Sequence, residues 1–193
     1  ALVDFRNRTE RRSEPGRMSL VMNNHIGKGG HLSSQPMGAL RDYVAKDPVT
    51  EKYAVLNFPV RKDNPYCIDL DETAGLLERF DPELIILGKS MILHPEPVAA
   101  IRKLLDVKSS RPLLLYDMAH VIGLIGQHFQ DPFGEGADIV TGSTHKTLFG
   151  SQRGIIGAVF DEETPEFELW KAIQRRTFPG AVSNHHLGTL LGM

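Results

Sequence analysis

The chain has 193 residues, of which 41% are hydrophobic and 24% charged, and its formal charge is -2 at pH 7. That length holds one full domain and is short for two large ones, and the near-neutral balance points to neither nucleic acid nor an anionic membrane as partner. No apolar run approaches the roughly 20 residues of a membrane span, no charged-then-apolar leader opens the sequence, and the single cysteine, Cys67, cannot form an internal disulfide.

A cytoplasmic protein folded as a single domain over 1–193 is therefore the expectation. Arg6, Arg8, Arg11, Arg12 and Arg17 crowd the start of the chain. Asp4, Glu10 and Glu14 are interleaved with them, which favours the solvated face of a helix over a basic arm for phosphate groups.

In chain order, Arg6 to Ser13 reads as the end of a helix stopped by Pro15-Gly16. Met18 to Met22 is a short strand, Gly27-Lys28-Gly29-Gly30-His31 a glycine-rich loop, Met37 to Val44 a short helix and Tyr53 to Val60 a further strand. Asp69-Leu70-Asp71-Glu72 caps a helix that carries Leu76, Leu77 and Phe80. Leu84 to Leu87 (LIIL) is a continuous apolar run, as expected of a strand buried on both faces. Pro97 to Leu105 has helical spacing, and Pro112 to Tyr116 is a second buried strand that ends at Asp117. His120 to Ile125 reads as a helix, Asp138 to Thr141 and Gly154 to Phe160 as strands, and Glu166 to Arg176 as a last helix. This alternation predicts an α/β fold, layered around a mostly parallel sheet.

The chemistry-bearing residues gather where strands end. Asp117 closes one strand and Lys146 follows another by a few residues, and ligands of open α/β sheets bind beyond the carboxyl ends of the strands. A lysine amine can form a Schiff base with an aldehyde cofactor, and a carboxylate can pair with a protonated pyridine nitrogen. The two residues thus suit pyridoxal phosphate, although many α/β proteins contain such a pair and Asp117 could equally cap the following helix. The glycine loop before His31 has neither the dinucleotide pattern nor the Walker spacing. His185-His186 are adjacent, with no third ligand nearby, and read as surface residues rather than a metal site.

The flanking residues narrow the choice. Asp117-Met118-Ala119-His120-Val121-Ile122-Gly123-Leu124 and Val140-Thr141-Gly142-Ser143-Thr144-His145-Lys146-Thr147-Leu148-Phe149-Gly150 resemble two signature segments of serine hydroxymethyltransferase. Gly29-Gly30-His31-Leu32-Ser33 is similar to the family's third. Glu14-Pro15-Gly16, Ala137-Asp138 and Phe178-Pro179-Gly180 fall in the family's order, so the resemblance spans about residues 14 to 180. It implies the three-layer α/β/α large domain of a fold-type I pyridoxal-phosphate enzyme. It further implies that Lys146 is the Schiff-base lysine, Asp117 the partner of the pyridine nitrogen and His31 the residue stacked on the cofactor ring. His120 and Ser90, in Gly88-Lys89-Ser90, would lie near the ring's phenolic oxygen. Ser143 and His145 match positions beside the lysine, where the family has a threonine and a histidine.

The resemblance also implies what this chain lacks. The family's serine-glycine-serine phosphate cup would precede Ala1. A further N-terminal segment and a small C-terminal domain, which holds the arginine for the substrate carboxylate, would lie outside it. Three internal stretches depart from the family pattern: Leu32-Ser33-Ser34-Gln35, Met91-Ile92-Leu93-His94 and Ala181-Val182-Ser183-Asn184. The expected activity is cleavage or formation of the Cα–Cβ bond of a β-hydroxy-α-amino acid by a homodimer, with tetrahydrofolate as candidate co-substrate. A folate-independent aldolase or transaldolase and a non-catalytic scaffold are the competing readings.

Overall fold

The computed structural model describes residues 1–9, 16–126, 128–184 and 186–193. Its centre is a six-stranded sheet, built from β1 (Val21–Asn23), β2 (Val55–Asn57), β3 (Leu84–Leu87), β4 (Leu113–Asp117), β5 (Ile139–Ser143) and β6 (Gly154–Ala158). The spatial order is β2-β1-β3-β4-β5-β6. Neighbours from β2 through β5 pair in parallel, and β6 closes the sheet antiparallel to β5. The helices are α1 (Leu2–Thr9), α2 (Leu70–Arg79), α3 (Val98–Asp106), α4 (Phe167–Arg175) and the short α5 (Leu187–Leu191). No helix among the described residues is long and apolar enough to cross a membrane.

The period of two in β3 sorts the core into two layers. Ile85 and Leu87 join Met22, Leu114 and Tyr116 under Leu77 of α2 and Val98, Ile101 and Leu105 of α3. Leu84 and Ile86 join Val21, Leu113 and Ile139 on the opposite side, under Val3 and Phe5 of α1 and Leu169 of α4. A fully apolar run in the centre of a sheet is what two covered faces demand, and LIIL is buried at all four positions. Each such side chain contributes roughly 1.5–3 kcal/mol on burial. The expected α/β/α layering is what the chain adopts.

Several elements keep their predicted bounds because local chemistry defines them. The Asp69 carboxylate accepts from the Glu72 amide at 3.0 Å, and α2 starts directly after it with Asp71 and Glu72 in its first turn. Others are corrected. Residues 37–44 form successive turns rather than a helix. The Gly38 and Leu40 amides both bond the Gln35 carbonyl, so no regular ladder develops, and a Cβ at Gly38 would lie 2.2 Å from the Leu32 carbonyl oxygen. The expected helix over His120 to Ile125 is a single 3₁₀ turn at Ile122–Leu124. The Met18 to Met22 strand shrinks to Val21–Asn23, with Met18 making an isolated bridge to Val44. α1 starts at Leu2 and is described to Thr9; the stop at Pro15 lies outside the described residues.

Strand order determines where a site forms. After β1 the chain adds β2 on one side, then returns across β1 to add β3 on the other. Loops after β1 and β3 therefore leave in opposite directions, and the crevice between them lies at the carboxyl edge of the sheet.

Candidate functional site

Four loops meet at that edge. The loop after β1 carries His31, that after β3 carries Ser90, that after β4 starts at Asp117 and includes His120, and β5 ends at Ser143 with His145 and Lys146 on the loop after it.

Asp117 is the centre of the arrangement and is buried. Its Oδ1 accepts from the Ala119 amide at 3.0 Å, which fixes the carboxyl group on its own turn. Its Oδ2 is held from the β1 loop: His31 Nδ1 lies 2.5 Å away, and the Ser33 hydroxyl donates at 2.8 Å. A carboxylate only accepts, so Nδ1 carries the hydrogen and Nε2 is left for another partner. The Ser33 oxygen also lies 2.8 Å from His31 Nδ1, completing a triangle of three side chains. The His31 ring meets His120 in a T-shaped contact, with ring centroids 5.0 Å apart and planes at 82°. Burial, then the Lys146 ammonium, then His31 lower the His120 pKa below its usual 6.5. His120 is thus neutral at pH 7.

Lys146 is half-buried on the loop after β5, and its Nζ donates to Ser143 Oγ at 3.4 Å. The strand partners in register are Asp117 on β4 and Thr141 on β5, which brings the lysine loop beside the Asp117 turn. Thr144, fully buried, pins this loop: its Oγ1 accepts from the Arg153 amide at 2.9 Å and bonds the Ser151 carbonyl. The turn after Asp117 packs directly on the lysine loop at Gly123, where a Cβ would lie 2.0 Å from the Thr147 carbonyl oxygen. Gly88 does the same at the end of β3: its φ is +103° and a Cβ would meet the Asp117 carbonyl oxygen at 2.1 Å.

The candidate residues are not equally placed. His31, Asp117 and His120 form one contact chain, and Lys146 acts electrostatically on His120 at its end. Ser90 is half-buried on the adjoining loop, tied through its amide to the Gly29 carbonyl at 2.8 Å. His145 is exposed and lines, with Ser143, Arg153, Trp170, Phe178 and Asn184, a cleft of about 880 Å³. Neither Asp117 nor Lys146 lines that cleft. Among the described residues no group of three or more His, Cys, Asp or Glu could hold a metal ion; His185 lies outside them.

Sequence reasoning gave Ser33 no role: it closes the segment that resembles the family's glycine-glycine-histidine turn and also falls in the stretch Leu32-Ser33-Ser34-Gln35 that departs from the family pattern. That stretch is structural: Gln35 Nε2 donates to the Asn24 carbonyl at 2.8 Å, and Asn23 Nδ2 donates to the Ser34 carbonyl. Together they close the loop that presents His31. The available signal was the run of two hydroxyls and an amide, Ser33-Ser34-Gln35, two residues after a histidine in a glycine-rich loop.

The donor set fits pyridoxal phosphate. Asp117 has one oxygen fixed by backbone and the other turned to the loop that carries His31, an amine stands on the neighbouring loop, and two imidazole rings lie between.

Comparison with known proteins identifies the family. The family model described as serine hydroxymethyltransferase matches residues 15–192. A serine hydroxymethyltransferase from Archaeoglobus fulgidus is 40% identical over 173 residues, which is 89% of this chain and 35% of the relative. One from Thermoplasma volcanium is 37% identical over 182 residues, 94% of this chain and 38% of the relative. One from Korarchaeum cryptofilum is 39% identical over 184 residues, 94% of this chain and 40% of the relative. The chain therefore spans between 35% and 40% of the length of these relatives. With a model match over nearly its whole length and the signature residues on one sheet edge, the chain belongs to the serine hydroxymethyltransferase family.

Proposed function

We propose that this chain is the cofactor-binding domain of a pyridoxal-phosphate-dependent transferase of the hydroxymethyltransferase type, which makes and breaks the Cα–Cβ bond of a β-hydroxy-α-amino acid such as serine. The observation that carries the reading is the Asp117 carboxylate, buried at the end of β4 with Oδ2 held by loop side chains and Lys146 on the next loop. When bound, pyridoxal phosphate supplies an aldehyde for an amine and an electron-poor ring that takes up the electron pair released at the substrate's α-carbon.

The family resemblance, together with the surroundings of each group, supports the following roles. Lys146 Nζ is the amine that holds the cofactor and the base to which a proton can return. The Asp117 carboxylate would hold a proton on the pyridine nitrogen, which would keep the ring an electron sink. His31, tethered through Nδ1 and in contact with His120, would stack its ring on the cofactor. His120, neutral at pH 7, offers a hydrogen-bonding nitrogen beside Lys146 without adding a second cation. Ser90 and Ser143 supply hydroxyls on either side, and His145 borders the cleft beside the lysine loop. An amino acid is the substrate, tetrahydrofolate the one-carbon acceptor, and a homodimer the working form.

The test is the visible absorbance of the purified full-length protein with pyridoxal phosphate, compared with Lys146→Ala. A borohydride-reducible band in the parent and none in the variant is the expected result. No band in the parent would overturn the reading. Product analysis with and without tetrahydrofolate then identifies the acceptor: exchange with aldehydes in the absence of folate would make the protein an aldolase or transaldolase.

A further inference from the structure

Below the candidate site lies a charged pair for which the proposed chemistry has no use. Lys89 and Glu96 are each about 2% exposed, and Lys89 Nζ stands 2.8 Å from Glu96 Oε1. Lys89 Nζ also donates to the Tyr66 carbonyl at 2.7 Å. The second carboxylate oxygen, Glu96 Oε2, accepts from Asn24 Nδ2 at 2.9 Å, and the same amide reaches the Gly88 carbonyl at 3.3 Å. Gln130 clasps the Glu96 backbone from both sides: its Oε1 accepts from the Glu96 amide at 3.1 Å and its Nε2 donates to the Glu96 carbonyl at 2.5 Å. Tyr116 of β4 holds Gln130 in turn, donating to Oε1 at 2.8 Å.

A buried ion pair is seldom the most stable filling for its space, because desolvation offsets most of the attraction. What this pair does that an apolar pair would not is join separate loops. Asn24 follows β1, Lys89 follows β3, Glu96 precedes α3 and Tyr66 precedes α2. The backbone of Lys89 itself forms an antiparallel bridge with Gly30, and the amides of Ser90 and Met91 both bond the Gly29 carbonyl. Gly30 and Lys89 are therefore the direct neighbours of His31 and Ser90 on two loops joined to each other.

We infer that the Lys89–Glu96 pair is a positioning element of the cofactor site: it locks the loop after β3 onto the glycine turn after β1 and so sets Ser90 and His31 relative to Asp117. This rests on the function proposed above. The pair touches no reacting atom and acts through Ser90 and His31.

The variant Lys89→Met/Glu96→Gln removes both charges and leaves an amide oxygen for Asn24. In the full-length protein without cofactor, amide hydrogen exchange across residues 29–31 and 90–91 is expected to quicken about ten-fold, with β3 and β4 unchanged. Pyridoxal phosphate is expected to bind about ten-fold more weakly, with an altered absorbance band. Unchanged exchange in these two segments overturns the inference whether or not the cofactor binds. Faster exchange with parent-like affinity and band also overturns it, because the pair would then be structural only. A parent that binds no cofactor refutes the proposed function instead, and the exchange result alone decides the positioning of the His31 turn. Should the double variant fail to fold, Asn24→Ala keeps both charges of the pair, removes the amide that joins Glu96 Oε2 to the Gly88 carbonyl, and is expected to quicken the same amides.

Discussion

The side chains of His31 and Asp117, 86 positions apart in the chain, meet at 2.5 Å across the carboxyl edge of the sheet. This contact joins the loop after β1 to the end of β4, and Ser33 reinforces it through the same carboxylate oxygen. It makes Asp117 more than the cap of its own turn, since three donors from two segments converge on one buried carboxyl group.

Asp117→Ala removes the acceptor of all three donors at once. Of these donors the Ala119 amide is buried, and a buried donor left without a partner costs about 1–3 kcal/mol, so the urea midpoint is expected to fall by a measurable amount. Asp117→Asn retains an amide oxygen and is expected to be milder in stability. Both variants are expected to lose on the order of 10²–10³ in turnover, the scale on which removing one preorganised electrostatic partner acts. An Asp117→Asn protein with parent turnover would remove this carboxylate from the reaction.

His120 makes stability depend on pH in a defined direction. Its pKa in the folded protein lies below the 6.5 of an unhindered imidazole, with burial the largest cause and the Lys146 charge the second. Between those two pKa values the unfolded chain binds a proton that the folded one refuses, so stability declines as pH falls from 6.5 and levels off below the folded value. His120→Gln is expected to flatten that part of a melting-temperature profile. Lys146→Ala is expected to raise the His120 pKa only part of the way back, as read by NMR titration of the ring, because burial remains. No rise on removing Lys146 would separate the two residues.

Gly88 is a position where a methyl group meets both an unfavourable backbone conformation and a backbone clash. Its φ of +103° disfavours any side chain, and an added Cβ would lie 2.1 Å from the Asp117 carbonyl oxygen. That atom is backbone and cannot swing aside, so β3 and β4 must part at their carboxyl ends. Gly88→Ala is expected to cost about 1–3 kcal/mol, the range for residues held in sparsely populated backbone conformations. It is also expected to weaken cofactor binding, since the displaced residue is Asp117. Gly75→Ala, on α2 with nothing within 4 Å of the new methyl, is the control expected to leave the denaturation midpoint unchanged or slightly raised.

Much of this fold is legible because its determinants are local. LIIL can be buried on both faces only in the middle of a covered sheet, and Asp69 marks the start of α2 by capping the Glu72 amide three residues on. Strand ends then predict the edge to which Asp117 and Lys146 belong. The site's supporting residues are illegible for the complementary reason. Asn24 meets Glu96 across 72 positions and Ser33 meets Asp117 across 84, and neither pairing leaves a periodic trace in the sequence. Residues 37–44 fail as a helix because the close approach of Gly38 to the preceding turn at Leu32 and Gln35 outweighs the apolar spacing of Leu40 and Val44, which are buried all the same.

Thr144 tests whether the lysine loop is held by its hydroxyl or by the shape of the turn. It is fully buried, its Oγ1 accepts from the Arg153 amide at 2.9 Å and bonds the Ser151 carbonyl, and its amide donates to the Arg153 carbonyl at 3.0 Å. Thr144→Val keeps the volume but leaves the Arg153 amide and the Ser151 carbonyl without their side-chain partner, at an expected cost of about 1–3 kcal/mol. Thr144→Ser keeps the hydroxyl and gives up one methyl, an expected loss of about 0.8 kcal/mol. Because the loop from Ser143 to Arg153 carries Lys146, the valine variant is expected to lose borohydride-trapped cofactor under conditions where the serine variant retains it. Equal trapping by both would mean that the strand pairing of β5 with β6 positions the lysine without help from the Thr144 hydroxyl.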